Sequence, residues 1–128
     1  MKPKITERGW AGHFCCADRC NFRRNTLIEY DDIKIVVSTV GLMRSFDKEN
    51  KFEEIGLDRY YETMAFHAHN HGFYDADVSL QINFNSQWSI GSVDAEIEAN
   101  IMHDKVVKEI ASRLKKGDKF KVEKYGSY

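Results

Sequence analysis

Residues 26–40 read Thr-Leu-Ile-Glu-Tyr-Asp-Asp-Ile-Lys-Ile-Val-Val-Ser-Thr-Val, and their pattern decides the fold class. Thr26 to Tyr30 and Ile33 to Val40 are both rich in β-branched and aromatic residues, and only Asp31-Asp32 separates them. Two such runs joined by two turn-forming residues predict a β-hairpin, even without the favoured Asn-Gly. In the second run Ile33, Ile35, Val37 and Thr39 share one face, while Lys34, Val36, Ser38 and Val40 share the other. An apolar face backed by a mixed one predicts an antiparallel sheet covered on one side by a helix.

That helix is visible downstream. Ile97, Ile101, Val106, Ile110 and Leu114 recur at spacings of four or five residues, with Met102 and Val107 widening the stripe. Ser92 or Asp94 is suited to cap its start, and Asp94, Glu96 and Glu98 suit the positive end of the helix dipole. Arg113, Lys115 and Lys116 suit the other end, and Gly117 is a natural stop.

Between hairpin and helix, Arg59 to His69 and Asp77 to Phe84 alternate as strands, the second with Val78, Leu80, Ile82 and Phe84 inward. Trp88 to Ile90 extends that strand or begins another. Asn70-His71-Gly72 predicts a turn, and 41–56 a loop. Upstream, Trp10 to Cys16 predicts a strand opening after Gly9, with Asp18 to Asn21 as a connection. Lys119 to Tyr125 predicts a late edge strand or a frayed end. The expected architecture is α+β: an antiparallel sheet of about five to six strands followed by one long C-terminal amphipathic helix packed on it.

The 128 residues and 42% hydrophobic content suit a single domain spanning 1–128, with 1–8 and 125–128 as flexible ends. No linker, low-complexity tract or repeat divides the chain. The 19 basic and 20 acidic residues are interleaved, giving a net charge of −1. Duplex nucleic acid is therefore not an expected partner, because duplex binders carry a basic face that displaces counterions. A small anion held by a few arginines, or a protein partner, fits the same balance. The longest apolar stretch, Ile33 to Met43, is broken by Lys34, Ser38 and Thr39, so no membrane span is expected. No apolar core follows the basic start, and the three cysteines are odd in number. The expectation is a cytoplasmic protein without a disulfide framework.

Three groups of residues have chemical potential. His13, Cys15, Cys16 and Cys20 include zinc-ligand types, yet Cys15 and Cys16 would face opposite sides of a strand, and buried cysteines pack as small apolar groups. His67 and His69 would share a strand face, and Asp77 would complete a two-histidine, one-carboxylate metal set; metal-dependent hydrolysis is the enzyme reading that follows. The third group is the polar content of the strands: Arg23, Arg24, Asn25 and Thr26, then Ser38-Thr39, then Arg59 to Thr63. Buried polar groups cost free energy unless paired. They are either structural pairs such as Arg59–Glu62, or the lining of a pocket. In a pocket, arginine forks would hold phosphate, Tyr61 or Trp88 would stack on a base, and Asn100 would approach from the helix. A Walker loop and a Gly-x-Gly-x-x-Gly fingerprint are both missing from the sequence, so no cofactor is expected.

Several stretches resemble a small family encoded by tailed bacteriophages and prophages. They are residues 9–27 (Gly-Trp-Ala-Gly-His-Phe-Cys-Cys-Ala-Asp-Arg-Cys-Asn-Phe-Arg-Arg-Asn-Thr-Leu), Val-Val-Ser-Thr-Val-Gly (36–41), Asp-Arg-Tyr-Tyr-Glu-Thr-Met (58–64), Asp-Ala-Asp-Val (75–78) and Ala-Asn-Ile-Met-His (99–103). The resemblance covers most of residues 9–114. The resemblance implies an infected bacterial host and an anti-defence role, of which two kinds are relevant. One sequesters cyclic or ADP-ribose-derived nucleotide signals without hydrolysing them, as anti-Thoeris sponges do. The other binds a host defence protein directly, as anti-CRISPR proteins do. The leading expectation is the first, in a homo-oligomer whose small nucleotide ligand is held by Arg23, Arg24, Asn25, Thr26, Arg59, Tyr61, Trp88 and Asn100.

Overall fold

The computed structural model describes residues 2–9, 13, 16–48, 50–56, 58–70, 72–82 and 88–121, with the Trp88 side chain excepted. Strands β2 (Cys20–Tyr30) and β3 (Ile33–Arg44) form the central hairpin, paired from Tyr30↔Ile33 to Cys20↔Met43. Asp31 turns it at a φ of 52°, the positive value that tight hairpin turns require. On one side β2 pairs with β1 (Lys4–Glu7). On the other, β3 pairs with β5 (Tyr61–Ala68), which carries β6 (Ala76–Ile82) along its second half and β7 (Trp88–Ile90) along its first. The two-residue β4 (Phe52–Glu53) returns against the end of β3. The result is one open seven-stranded antiparallel sheet.

Helix α1 (Glu96–Lys115) packs on one sheet face. That face gathers alternate residues of each central strand: Thr26 and Ile28, then Ile35, Val37 and Thr39, then Thr63 and Ala65. Val106, Val107, Ile110 and Leu114 close the core from the helix side. Gly117, at a φ of 98°, ends the helix as expected. Phe120 then folds back to be buried in the same core, so the described start of the tail is neither an edge strand nor frayed. The expected 122–125 lie outside the described residues. No helix among the described residues is long and apolar enough to cross a membrane.

Several expectations are corrected. Ile97 and Ile101 do not belong to the buried stripe: they are 75% and 61% exposed. Each stands nine residues before a core residue, Val106 or Ile110, and nine steps of roughly 100° end half a turn away. The true stripe is Ala99, Met102, His103, Val106, Val107, Ile110 and Leu114, and it includes a histidine that an apolar pattern cannot reveal. Ala95, not Ser92 or Asp94, holds the cap position, without a side-chain cap bond. Val78 is 63% exposed rather than inward, on an edge strand whose register against β5 shifts between Phe66 and Ala68. The expected loose N-terminus contains β1, fixed by its ladder to Thr26–Glu29. The loop expected at 41–56 is interrupted: β3 runs on to Arg44 through Leu42 at a φ of 52°, and β4 pairs with its end, leaving 45–51 as the connection between them. Of the strand expected at Trp10–Cys16, only His13 and Cys16 are described, and neither is in a strand; Ala17–Arg19 is a 3-10 turn from which β2 starts at once.

Candidate functional site

The helix-covered face holds a polar chain where an apolar core would ordinarily be. His103 is fully buried, with Nε2 2.7 Å from Thr26 Oγ1 and Nδ1 2.7 Å from Thr39 Oγ1. Thr39 Oγ1 lies 2.6 Å from Thr63 Oγ1, and Thr26 donates its hydroxyl proton to Glu7 Oε2 at 2.7 Å. A carboxylate only accepts, which sets every direction in the chain. Thr26 must take the Nε2–H of His103, so Nδ1 accepts from Thr39, and Thr39 accepts from Thr63. Burial, then the nearby Arg24 charge, push the His103 pKa down from 6.5 to about 4. It is therefore neutral near pH 7, as the chain demands. Burial raises the Glu7 carboxyl, but hydrogen bonds from Arg24 and Thr26 outweigh that and hold it below its ordinary value. Arg24 bridges Glu7 and Asp104, each at 2.9 Å. All these groups are consumed by one another.

The opposite face has its own cluster. His13 stands there with Nδ1 3.0 Å from Ser38 Oγ and Nε2 2.9 Å from Glu62 Oε1. Arg59 backs Glu62 at 3.6 Å, the structural pairing foreseen as one alternative. The hydrogen bond from His13 holds the Glu62 carboxyl below its ordinary value despite its burial. Serine, histidine and carboxylate in line suggest nucleophilic catalysis. Two facts oppose it: Ser38 is fully buried, and its oxygen already accepts the His13 backbone N–H at 3.0 Å. The cluster fastens His13 to the sheet.

The open, unspent chemistry lies elsewhere, between the start of β2 and the β3–β4 loop. A cleft of about 360 Å³ is lined by Arg19, Asn21, Arg44, Ser45, Lys48, Asn50, Lys51 and Phe52. Local bonding explains its shape. Ser45 N–H donates to the Lys51 carbonyl at 2.8 Å, the Ser45 hydroxyl accepts the N–H groups of Asp47 and Lys48, and Asn50 adopts a φ of 62°. Arg19 reaches in from the 3-10 turn. Its Nε and Nη2 bond the carbonyls of Arg44 and Ser45 at 3.2 and 2.8 Å, and its guanidinium lies 4.1 Å from the Phe46 ring centre. None of the four cations has a carboxylate within ion-pair distance among the described residues, in contrast to Arg24, Arg59 and Arg113.

Compared with protein-family models, curated proteins and solved structures, the chain matches none. The resemblance to tailed-phage proteins thus rests on the stretches quoted for it.

The residues singled out from sequence are divided among several places. Arg24, Thr26 and Asn100 meet under α1, where Arg24 Nη1 lies 3.4 Å from Asn100 Oδ1. Tyr61 is buried on the same face, its ring packed edge-on against Phe22 and its hydroxyl bonded to the Val93 carbonyl at 3.1 Å. Asn25 faces the other side and accepts from Arg8 at 2.9 Å. Arg59 is near Glu62, and Arg23 is exposed on that side, away from Arg24. The Trp88 backbone opens β7, but its side chain lies outside what is described. Among the candidate metal ligands, His69 pairs with Asp77 at 3.4 Å, while His67 donates to the Phe120 carbonyl at 2.5 Å. No group of three potential metal ligands occurs among the described residues. Cys20 is a buried thiol, Cys16 is half-buried, and Cys15 lies outside the described residues. The cleft cations were not singled out, because Asp47, Glu49 and Glu53 dilute them along the chain and Arg19 joins them only through folding.

Proposed function

We propose that this chain is a binding protein for a small phosphorylated ligand of the nucleotide class, which it holds without hydrolysis. The observation that carries the reading is the cleft beside the β3–β4 loop, where Arg19, Arg44, Lys48 and Lys51 converge without carboxylate partners among the described residues. Arginine forks and lysine ammonium groups donate charge-assisted hydrogen bonds to phosphate oxygens. Arg19 is already oriented by two carbonyls and a ring, which lowers the entropic cost of engaging a ligand. The cationic lining includes no histidine, cysteine or carboxylate among the described residues, so it offers binding groups rather than a general base. In the phage setting that the resemblance suggests, such a protein sequesters an immune nucleotide signal.

Incubating the purified chain with cyclic dinucleotides and cyclic ADP-ribose isomers tests this. A ligand retained through gel filtration and recovered intact after heating is expected. Loss of that retention in the Arg44→Ala, Lys51→Ala double variant would locate it in the cleft. No retained ligand across the panel would end the reading.

A second reading has one observation in its favour. Ile97 and Ile101 form an exposed apolar pair on the outer face of α1, a feature suited to binding a host defence protein. Recovery of a bacterial protein by the native chain, and not by the Ile97→Ser, Ile101→Ser double variant, would favour it.

A further inference from the structure

Alongside the cationic cleft lies a second hollow of about 350 Å³, and the two share Ser45, Lys48, Lys51 and Phe52. What the second hollow adds is acidic: Asp47 and Glu53. The cleft as a whole therefore has a charge direction, from Arg19 and Arg44 at one end to Asp47 and Glu53 at the other. We infer that the two hollows form one elongated site for a ribonucleoside phosphate, with phosphate at the Arg19–Arg44 end and the ribose diol at the Asp47–Glu53 end. The inference rests on the binding reading above and specifies its ligand class.

The chemistry follows from the two ends. Carboxylates repel phosphate, so phosphate is favoured at the Arg19–Arg44 end, while Lys48 and Lys51 line both hollows. They are strong acceptors for paired hydroxyls, and an acidic side chain on a ribose diol is a recurrent solution in nucleotide-binding folds. Two volumes of this size fall within the range of small-ligand sites. Phe52 lines both hollows, giving the sugar or base an apolar wall. Ser45 links the ends: its hydroxyl accepts from the Asp47 and Lys48 N–H groups and donates to Glu53 Oε1 at 3.1 Å. Glu53 Oε2 and the Asp47 carboxylate form no hydrogen bond among the described residues, so both remain available to accept one.

Calorimetric titration of the full chain with three probes tests the inference: inorganic pyrophosphate, ADP and 2′,3′-dideoxy-ADP. The two nucleotides carry equal charge, so their affinity ratio isolates the diol. ADP is expected to bind at least about tenfold more tightly than its dideoxy analogue, a modest discrimination for an exposed site built to bond hydroxyls. Asp47→Ala should bring the ratio to within about twofold, and Glu53→Gln, which keeps an acceptor for Ser45, should lower it in the same direction. If pyrophosphate binds but the nucleotides are indistinguishable, the two-ended site is wrong while the cationic cleft survives. A preference for ADP untouched by both substitutions also overturns it. If none of the three probes binds, the inference and the reading beneath it fall together.

Discussion

His103 and Thr26 meet at 2.7 Å under the helix, and the Thr26 proton is already committed to Glu7, so the imidazole can only donate from Nε2. This makes the neutral ring part of the fold. With its pKa depressed to about 4 from 6.5, the folded state binds fewer protons than the unfolded chain between those values. Stability is therefore complete above about pH 6.5 and is lost as pH falls toward 4, by about 3 kcal/mol in all. The Glu7 and Glu62 carboxyls, held below their ordinary values, lose their contribution as pH falls further. Urea melts from pH 7.5 to 4 should show the slope, and His103→Gln should flatten it between pH 6.5 and 4.

Tyr61 faces Gly41 across the β3–β5 ladder, and its ring occupies the space where a side chain would begin. A Cβ on Gly41 would lie 2.1 Å from Tyr61 Cδ1, far inside van der Waals contact. Tyr61 cannot easily yield, because Phe22 packs against its ring and Val93 holds its hydroxyl. Gly41→Ala should cost about 2–3 kcal/mol by overpacking, read as a lower urea midpoint at unchanged slope.

Ser38 holds His13 by two contacts, the backbone N–H and Nδ1, both at 3.0 Å. Ser38→Ala leaves both without that partner and should cost about 1–3 kcal/mol. Amide exchange at His13 should accelerate more than exchange at the centre of β3. Uniform acceleration would mean that His13 is not separately fastened.

Arg19 uses its fork on two carbonyls while its flat face meets Phe46. Lysine keeps the charge but loses the fork and the stacking. Arg19→Lys should weaken pyrophosphate binding by about tenfold while changing stability by less than about 1 kcal/mol, since the site is at the surface. Calorimetry and thermal melting measure the two separately.

Ile97 and Ile101 contribute nothing to the core, so replacing both by serine should move stability by no more than about 0.5 kcal/mol. A loss of several kcal/mol would show that another surface covers them.

The sequence made the fold legible wherever a period of two or of about 3.6 was strong. Residues 26–40 showed the hairpin, 61–68 its neighbour, and Val106 to Leu114 the helix core. It was silent where polar residues are buried for one another's sake. Thr26, Thr39, Thr63 and His103 look like interruptions of an apolar pattern, yet they lock the helix to the sheet. The apolar spacing also misplaced Ile97 and Ile101, because a rule of fours and fives tolerates a drift that a real helix accumulates into half a turn. The candidate cleft was least legible. Its cations come from two separate segments and alternate with acids, and only folding of the 45–51 loop beside Arg19 brings them around one cleft.

Glu7 belongs to a strand of only four residues at the outer edge of the sheet, yet it terminates the proton-ordered chain that begins at Thr63 in the sheet's interior. An edge strand of four residues would ordinarily fray on its own. Here, peeling it away would leave Thr26 without its acceptor and His103 without a defined tautomer. Opening of the N-terminal edge is thereby tied to disruption at the centre, and a cut made just after Glu7 should be felt as a loss of cooperativity across the whole sheet rather than as a trimmed end.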